Sequence, residues 1–138
     1  MPKKTRIQTF HLGSGDILLE KYEIVGLLGA GWEGETFLLR ERSTGVERAG
    51  KLFFPERNAA DRTARRYARK LHRLRHCRIL VDYTTWERLE YEGRPVTMLV
   101  SEYVSGEPLS EMLRRFPGRR LRPLAGLHLL HALAQGMA

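Results

Sequence analysis

A glycine-rich turn between two strand-like segments is the feature that most constrains this chain. We call residues 29–34, with Gly29, Gly31 and Gly34, the glycine turn. Residues 22–28 and 35–40 on either side are typical of β-strands, which predicts a hairpin. Glycines of a dinucleotide-binding turn open a helix instead, so that class of site is not favoured. Glycine lets the backbone approach a ligand closely, and such a flap could offer N–H groups to phosphates.

A third strand and a helix follow the hairpin in the sequence. Residues 47–54 predict a strand that carries Lys51, whose ammonium could reach a phosphate beneath the glycine turn. The period then changes, and apolar residues recur three and four positions apart, which predicts a helix with Asn58 as its N-cap. These apolar positions are Ala60, Ala64, Tyr67, Ala68, Leu71 and Leu74.

The rest of the chain predicts two more strands and two helices. The strands cover residues 79–86 and 96–103, with a turn at residues 92–95 between them. A short helix is expected at residues 109–115, and a last helix begins at Pro123. We therefore predict an α+β fold: a five-stranded antiparallel sheet with one inserted helix, followed by two helices.

Composition excludes several classes of protein. The 138 residues carry a net charge of +8, and 42% are hydrophobic, which indicates a folded chain rather than a disordered one. The single Cys77 excludes a disulfide framework and favours a reducing compartment. We expect a cytoplasmic protein without a membrane partner, because no apolar run approaches ~20 residues and no secretory signal is recognisable.

In this order, the segments resemble the protein kinase family, in particular its serine/threonine type of prokaryotic appearance. The matching stretches are residues 28–37 for the glycine-rich loop, 49–51 for the lysine strand, 71–76 for the end of the αC helix, 99–106 for the fifth strand and hinge, 109–113 for αD and 127–138 for αE. The resemblance implies a flexible lead-in at residues 1–21 and an N-terminal lobe at residues 22–104. Residues 105–138 would then hold a linker and the two helices of a truncated C-terminal lobe.

The resemblance also implies ATP as cofactor and a protein as substrate. Lys51 would be the catalytic residue in this chain and would pair with the α- and β-phosphates of ATP. Ser101 would stand at the gatekeeper position, and Glu102 C=O and Val104 N–H would meet the adenine edge. The implied ATP-binding residues are Leu28, Gly29, Gly31, Gly34, Thr36, Ala49, Lys51, Ser101, Glu102 and Val104.

The sequence departs from the family pattern at three places. Tyr67 stands where the family has the αC glutamate that pairs with the lysine, and no glutamate occurs between Arg57 and Trp86. Glu33 occupies the tip of the glycine turn, where a carboxylate would repel phosphate, so we expect its side chain to point outward. The catalytic loop and the metal-binding aspartate are not in these 138 residues. We therefore predict that this chain alone is inactive, holds no metal, and would involve Mg²⁺ only with a further C-terminal lobe.

Three functions remain open at this point. The chain would be the ATP-binding lobe of a longer protein kinase, or a pseudokinase-type scaffold or nucleotide sensor. The third candidate is a basic nucleic-acid-binding module acting through the arginine-rich residues 62–78. Beyond these, an apolar stripe on the last helix would be exposed without a second lobe, so we expect a homo-oligomer. Its residues are Leu124, Leu127, Leu130 and Ala134.

Overall fold

One antiparallel sheet forms the centre of the protein. The computed structural model describes residues 5–137. Six strands are arranged in the order β1-β2-β3-β4-β6-β5. Their bounds are β1 (Ile17–Leu18), β2 (Tyr22–Ala30), β3 (Gly34–Glu41), β4 (Glu47–Phe53), β5 (Tyr83–Tyr91) and β6 (Arg94–Glu102). The predicted α+β class is confirmed, but the prediction of five strands is wrong, because two residues of β1 are too few to show a period in the sequence.

The β5–β6 hairpin corrects a second strand prediction. A two-residue turn, Glu92 and Gly93, joins the strands, and Tyr91 pairs with Arg94. Both turn residues have positive φ, 49° and 70°, as in the type I′ turns that close tight hairpins. Counting back from this turn sets the register, so β5 begins at Tyr83. The strand predicted at residues 79–86 was placed too early, because an apolar run at residues 79–81 resembles a strand but lies in a loop.

The two faces of the sheet bury different clusters. Side chains alternate along a strand, so Leu52 and Gly50 face one side while Lys51 and Phe53 face the other. The larger core lies on the Leu52 side and includes Ile24, Phe37, Leu39, Leu52, Met98 and Val100. A smaller cluster on the Lys51 side consists of Phe53, Ala64 and Leu99, with Tyr67, Ala68, Tyr83 and Trp86 packed against it.

The helix α1 (Arg62–Arg73) packs over the smaller cluster. Two short 3₁₀ turns, Pro55–Arg57 and Ala59–Asp61, lead into it. Asn58, which the sequence predicts as the N-cap, does bond to the first turn of this helix: its Oδ1 accepts a hydrogen bond from the Ala64 N–H at 3.0 Å. Asp61, with φ of 57°, is nevertheless the residue that immediately precedes the helix.

A segment near the N-terminus packs onto the sheet through Glu35. The Phe10 N–H and the Thr9 hydroxyl donate hydrogen bonds to the Glu35 carboxylate at 2.9 and 2.8 Å. Ile7 and Phe10 are buried in the larger core, and the Phe10 ring stacks on Phe54 with 5.2 Å between centroids. These contacts lie within the residues expected to form a lead-in, of which residues 1–4 are outside the described part.

The two remaining helices are α2 (Leu109–Arg114) and α3 (Pro123–Met137). Leu124, Leu127 and Leu130 of α3 are each about two-thirds exposed. The end of α3 contacts the loop after α1, where the Cys77 Sγ–H donates to the Gly136 carbonyl oxygen at 2.9 Å. None of the helices within residues 5–137 has the length and apolar character needed to cross a membrane.

Candidate functional site

An open cleft of about 470 Å³, which we call the turn cleft, is lined by residues of the glycine turn, β3, β4 and α1. Five of the residues expected to bind ATP line this cleft: Gly29, Gly31, Gly34, Thr36 and Lys51. The sheet register explains part of this grouping, because Gly29 pairs with Thr36 and Thr36 pairs with Lys51. Ala30, Trp32, Glu33 and Tyr67 complete the lining.

The three glycines of the turn have different surroundings. A Cβ at Gly34 would lie 1.9 Å from the Leu52 carbonyl oxygen, so the approach of β3 to β4 requires glycine there. A Cβ at Gly29 or Gly31 would meet no protein atom within 4 Å. The protein's own packing therefore leaves open space beside Gly29 and Gly31, both of which line the turn cleft. That space fits the phosphate-covering role implied by the resemblance.

The Lys51 ammonium is surrounded by two aromatic rings and one carboxylate. Its Nζ lies 4.2 Å from the Tyr67 ring centroid and 5.1 Å from the Phe53 ring centroid. Glu33 Oε2 is 3.4 Å away and accepts a hydrogen bond from it. Cation–π contacts of this kind stabilise a lysine position by ~0.5–1 kcal/mol or more. About 29% of the lysine side chain is exposed, and Lys51 lines the turn cleft.

Glu33 points inward, so the expectation that it faces solvent is wrong. The Tyr67 hydroxyl donates a hydrogen bond to Glu33 Oε2 at 2.7 Å, and Arg66 Nη2 reaches Oε1 at 3.4 Å. The hydrogen bond from Tyr67 and the positive charge of Lys51 lower the pKa of the Glu33 carboxyl below its usual value. Sequence inspection missed this because the donors come from α1, far along the chain.

The backbone fixes the inward direction of Glu33. Its carbonyl oxygen accepts a hydrogen bond from the Phe54 N–H at 2.9 Å, which continues the pairing of β3 with β4. The preceding residue, Trp32, is 71% exposed and stacks under the Arg57 guanidinium. At this bend before β3, the Trp32 indole is therefore exposed while the neighbouring Glu33 carboxylate contacts Lys51 and Tyr67.

The other expected ATP-binding residues lie beside the turn cleft and do not line it. Ala49 pairs with Ser101 across β4 and β6, two residues along from Lys51. Leu28 is 45% exposed and Val104 is 62% exposed. Glu102 follows Ser101 at the end of β6 and is also exposed. Leu28 directly precedes the glycine turn in β2, Ala49 and Ser101 are paired on neighbouring strands, and Glu102 and Val104 lie at and beyond the end of β6.

The outer face of α1 forms a second, strongly basic feature. A groove of about 630 Å³ runs along it. Among the residues that the structure describes, Arg66 is the member of this groove that forms an ion pair, with Glu33. The groove is lined by Arg62, Arg65, Arg66, Arg69, Lys70, Arg73 and Leu74. Sequence inspection identified this charge run, and the helix brings it to one surface.

Solved structures with similar folds are kinase domains. The PknI kinase domain of Mycobacterium tuberculosis matches with a TM-score of 0.60 and 24% identity over 92% of this chain and 51% of that one. A double mutant of the same domain matches with a TM-score of 0.58 and 25% identity over 92% and 50%. The PF14_0431 kinase domain matches with a TM-score of 0.64 and 20% identity over 78% and 31%.

These similarities establish the fold: the chain has a protein kinase N-lobe-like architecture. It spans between about a third and a half of the length of these kinase domains. No protein-family profile matches the sequence, and no curated protein matches it either.

Proposed function

We propose that this chain is the ATP-binding lobe of a serine/threonine protein kinase. In a longer form, the protein would transfer the γ-phosphoryl group of ATP to a protein hydroxyl. The observation that supports this most is the turn cleft, where the glycine backbone and the partly exposed Lys51 side chain line one cleft on a kinase-like sheet. Phosphoryl transfer depends mainly on positioning and on neutralising charge, and these residues would supply part of both.

The residues of the chain would divide the binding of ATP between them. Lys51 would contact the phosphates, and the backbone of Gly29 and Gly31 would cover them. Ala49 and Leu28 would pack against the adenine, beside Thr36 and Ser101, while Glu102 C=O and Val104 N–H would bond its edge. ATP supplies the transferable phosphoryl group, and Mg²⁺, held by a C-terminal lobe, would neutralise its charge.

The division of the chain follows from the same proposal. Residues 22–104 would form the N-terminal lobe, and residues 105–138 would begin the C-terminal one. The exposed leucines of α3 would then be covered by the rest of that lobe, with a second copy of the chain as the alternative. Light scattering distinguishes these two ways of covering the leucines. If the rest of the lobe covers them, we expect this chain alone to self-associate and a two-lobe form to stay monomeric.

Calorimetric titration of ATP with Mg²⁺ tests the proposal on this chain and on a longer, two-lobe form. Replacing Lys51 by methionine removes a charged donor worth ~1.5–3 kcal/mol, so Lys51→Met should weaken binding at least tenfold. Lys21→Met is the matched control, because Lys21 lies between β1 and β2, is not among the residues expected to bind ATP, and pairs with Glu87. We expect the control to bind like the unaltered protein. Equal binding by the Lys51 variant, or no binding by the two-lobe form, would contradict an ATP site and favour a scaffold.

A second candidate function rests on the basic groove of α1. Six Arg and Lys side chains line it, and phosphate-backbone binding of nucleic acid uses such surfaces. That function predicts an affinity for duplex DNA or RNA that falls steeply with salt concentration. A salt-independent or undetectable interaction would remove this candidate and leave the nucleotide site unaffected.

A further inference from the structure

We infer that Glu33 is the positioning residue for Lys51 and that Tyr67 holds it in place. A carboxylate on the glycine turn, anchored by a helix hydroxyl, would thus replace the carboxylate that kinase-like lobes carry on the helix itself. The inference rests on the proposed function, because the purpose of positioning Lys51 is to bind the phosphates of a nucleotide.

The helix has no carboxylate that could take this role. Residues 62–73 contain neither Asp nor Glu. The nearest acid, Asp61, is engaged elsewhere, because its Oδ1 accepts a hydrogen bond from the Thr97 hydroxyl at 2.6 Å and its Oδ2 pairs with Arg88. A partner for Lys51 must therefore come from another element, and the glycine turn supplies it.

The contacts hold the Glu33 carboxylate on the helix side of Lys51. Its shortest hydrogen bond, 2.7 Å, comes from Tyr67, and Arg66 of the same helix approaches the other oxygen. The bond to Lys51 is longer, 3.4 Å. Together with the backbone bond from Phe54, these contacts fix the carboxylate independently of the lysine.

Lys51 retains free donors in this arrangement. An ammonium group has three N–H donors, and within residues 5–137 its side chain donates one hydrogen bond, to Glu33. The Tyr67 and Phe53 rings approach the ammonium as well, which restricts its position. The remaining donors can therefore serve a phosphate in the turn cleft.

The Glu33 charge has two opposing effects on nucleotide affinity. The inference therefore predicts the direction in which Glu33→Gln changes that affinity. A carboxylate that competes with phosphate for Lys51 would lower nucleotide affinity, so Glu33→Gln would raise it. A carboxylate that positions Lys51 would raise nucleotide affinity, so Glu33→Gln would lower it. Because α1 fixes the carboxylate, we expect positioning to dominate. The effect should appear with ADP and be absent with adenosine, which has no phosphate.

The first experiment follows the Tyr67 phenol in the protein without nucleotide. The hydrogen bond to Glu33 raises the pKa of Tyr67 above its usual value. With ¹³Cζ-labelled tyrosine, assigned by Tyr67→Phe, an NMR titration should show a lower Tyr67 pKa in Glu33→Gln. Glu90→Gln, an exposed carboxylate on β5, is the matched control and should leave the titration unchanged. An unchanged Tyr67 pKa in Glu33→Gln would overturn the inference that Tyr67 holds Glu33 in place.

The second experiment measures ADP and adenosine affinity in the two-lobe protein. Glu33→Gln and Tyr67→Phe should each weaken ADP binding about three- to tenfold and leave adenosine binding unaltered. The double variant Glu33→Gln with Tyr67→Glu returns a carboxylate to the helix and should recover most of the loss. Tighter ADP binding by Glu33→Gln, an equal loss for adenosine, or no rescue would each refute positioning.

The two experiments separate the two proposals. If Tyr67 responds to Glu33→Gln but the unaltered protein binds neither ADP nor adenosine, the proposed nucleotide function fails and the positioning role fails with it. If nucleotide binds but Tyr67 does not respond, the proposed function stands and the inference about Glu33 is wrong.

Discussion

Replacing Gly34 by alanine should destabilise the protein far more than the same change at Gly31. The new Cβ at residue 34 would lie 1.9 Å from the Leu52 carbonyl oxygen and 2.9 Å from the Leu52 carbonyl carbon. Both atoms belong to the backbone of β4, so no side-chain rotation relieves the contact. Real Cβ contacts do not fall below 3.0 Å, so the strands must separate by about an ångström.

The size of the effect follows from what this separation breaks. Gly34 pairs with Phe53, and the adjacent Glu33 carbonyl accepts from the Phe54 N–H at 2.9 Å. Overpacking costs ~1–3 kcal/mol, and each weakened backbone hydrogen bond costs ~0.5–1.5 kcal/mol. The lower entropy of the unfolded chain offsets ~0.4–1 kcal/mol. We therefore expect Gly34→Ala to lower the free energy of unfolding by about 2–4 kcal/mol.

Urea denaturation followed by tryptophan fluorescence measures this difference. With a slope of ~2 kcal/mol per molar urea, the midpoint should fall by ~1–2 M at constant slope. Gly31→Ala is the control, because its Cβ would meet no protein atom within 4 Å; its midpoint should move by less than ~0.3 M. Equal midpoints for the two variants would refute the steric argument. If the proposed function is right, Gly31→Ala should still weaken ATP binding, because Gly31 lines the turn cleft.

Two further predictions concern buried and partly buried carboxylates. Glu35→Ala should lower the free energy of unfolding by ~2–3 kcal/mol, because it leaves the Phe10 N–H and the Thr9 hydroxyl without their acceptor. Glu47→Ala, at an exposed residue of β4, should change it by less than ~0.5 kcal/mol. A similar loss in both variants would contradict the stabilising role of the Glu35 hydrogen bonds. Because the folded pKa of Glu33 is lowered, its stabilisation is present above the ordinary value of 4.5 and is lost as pH falls through the lower folded pKa. The difference in unfolding free energy between the unaltered protein and Glu33→Gln should therefore be constant near neutral pH and shrink below about pH 4.5; a difference that grows on acidification would contradict this sign.

Much of the fold was predictable because its signals are local. Three of these signals depend only on neighbours a few positions apart. They are the turn at residues 92–95, the change to a helical period after residue 58 and the start of α3 at Pro123. The β5 boundary failed because residues 79–81 are apolar without being paired, and apolar character alone does not distinguish a strand from a loop that packs against a helix. The resemblance to kinases, drawn from the order of such segments, agrees with the fold of the solved kinase domains.

The candidate site was predictable only in part. The grouping of Gly29, Thr36 and Lys51 follows from strand pairing, which sequence patterns approximate well. The side chains that surround the lysine do not follow from it. Tyr67 was identified as a departure from the family pattern, but its hydroxyl contact with Glu33 required the packing of α1 on the sheet.

By itself, the sequence determined the strand–turn–strand–strand–helix order and the placement of Lys51 behind the glycine turn. These depend on backbone preferences and side-chain alternation, which act over a few residues. The tertiary structure alone decided that Glu33 faces Lys51, 18 positions away, and is held by Tyr67, 34 positions away. It also decided that Glu35 binds Phe10, 25 positions earlier. A carboxylate is stable in such places only when distant donors are brought to it, and packing, not local propensity, brings them there.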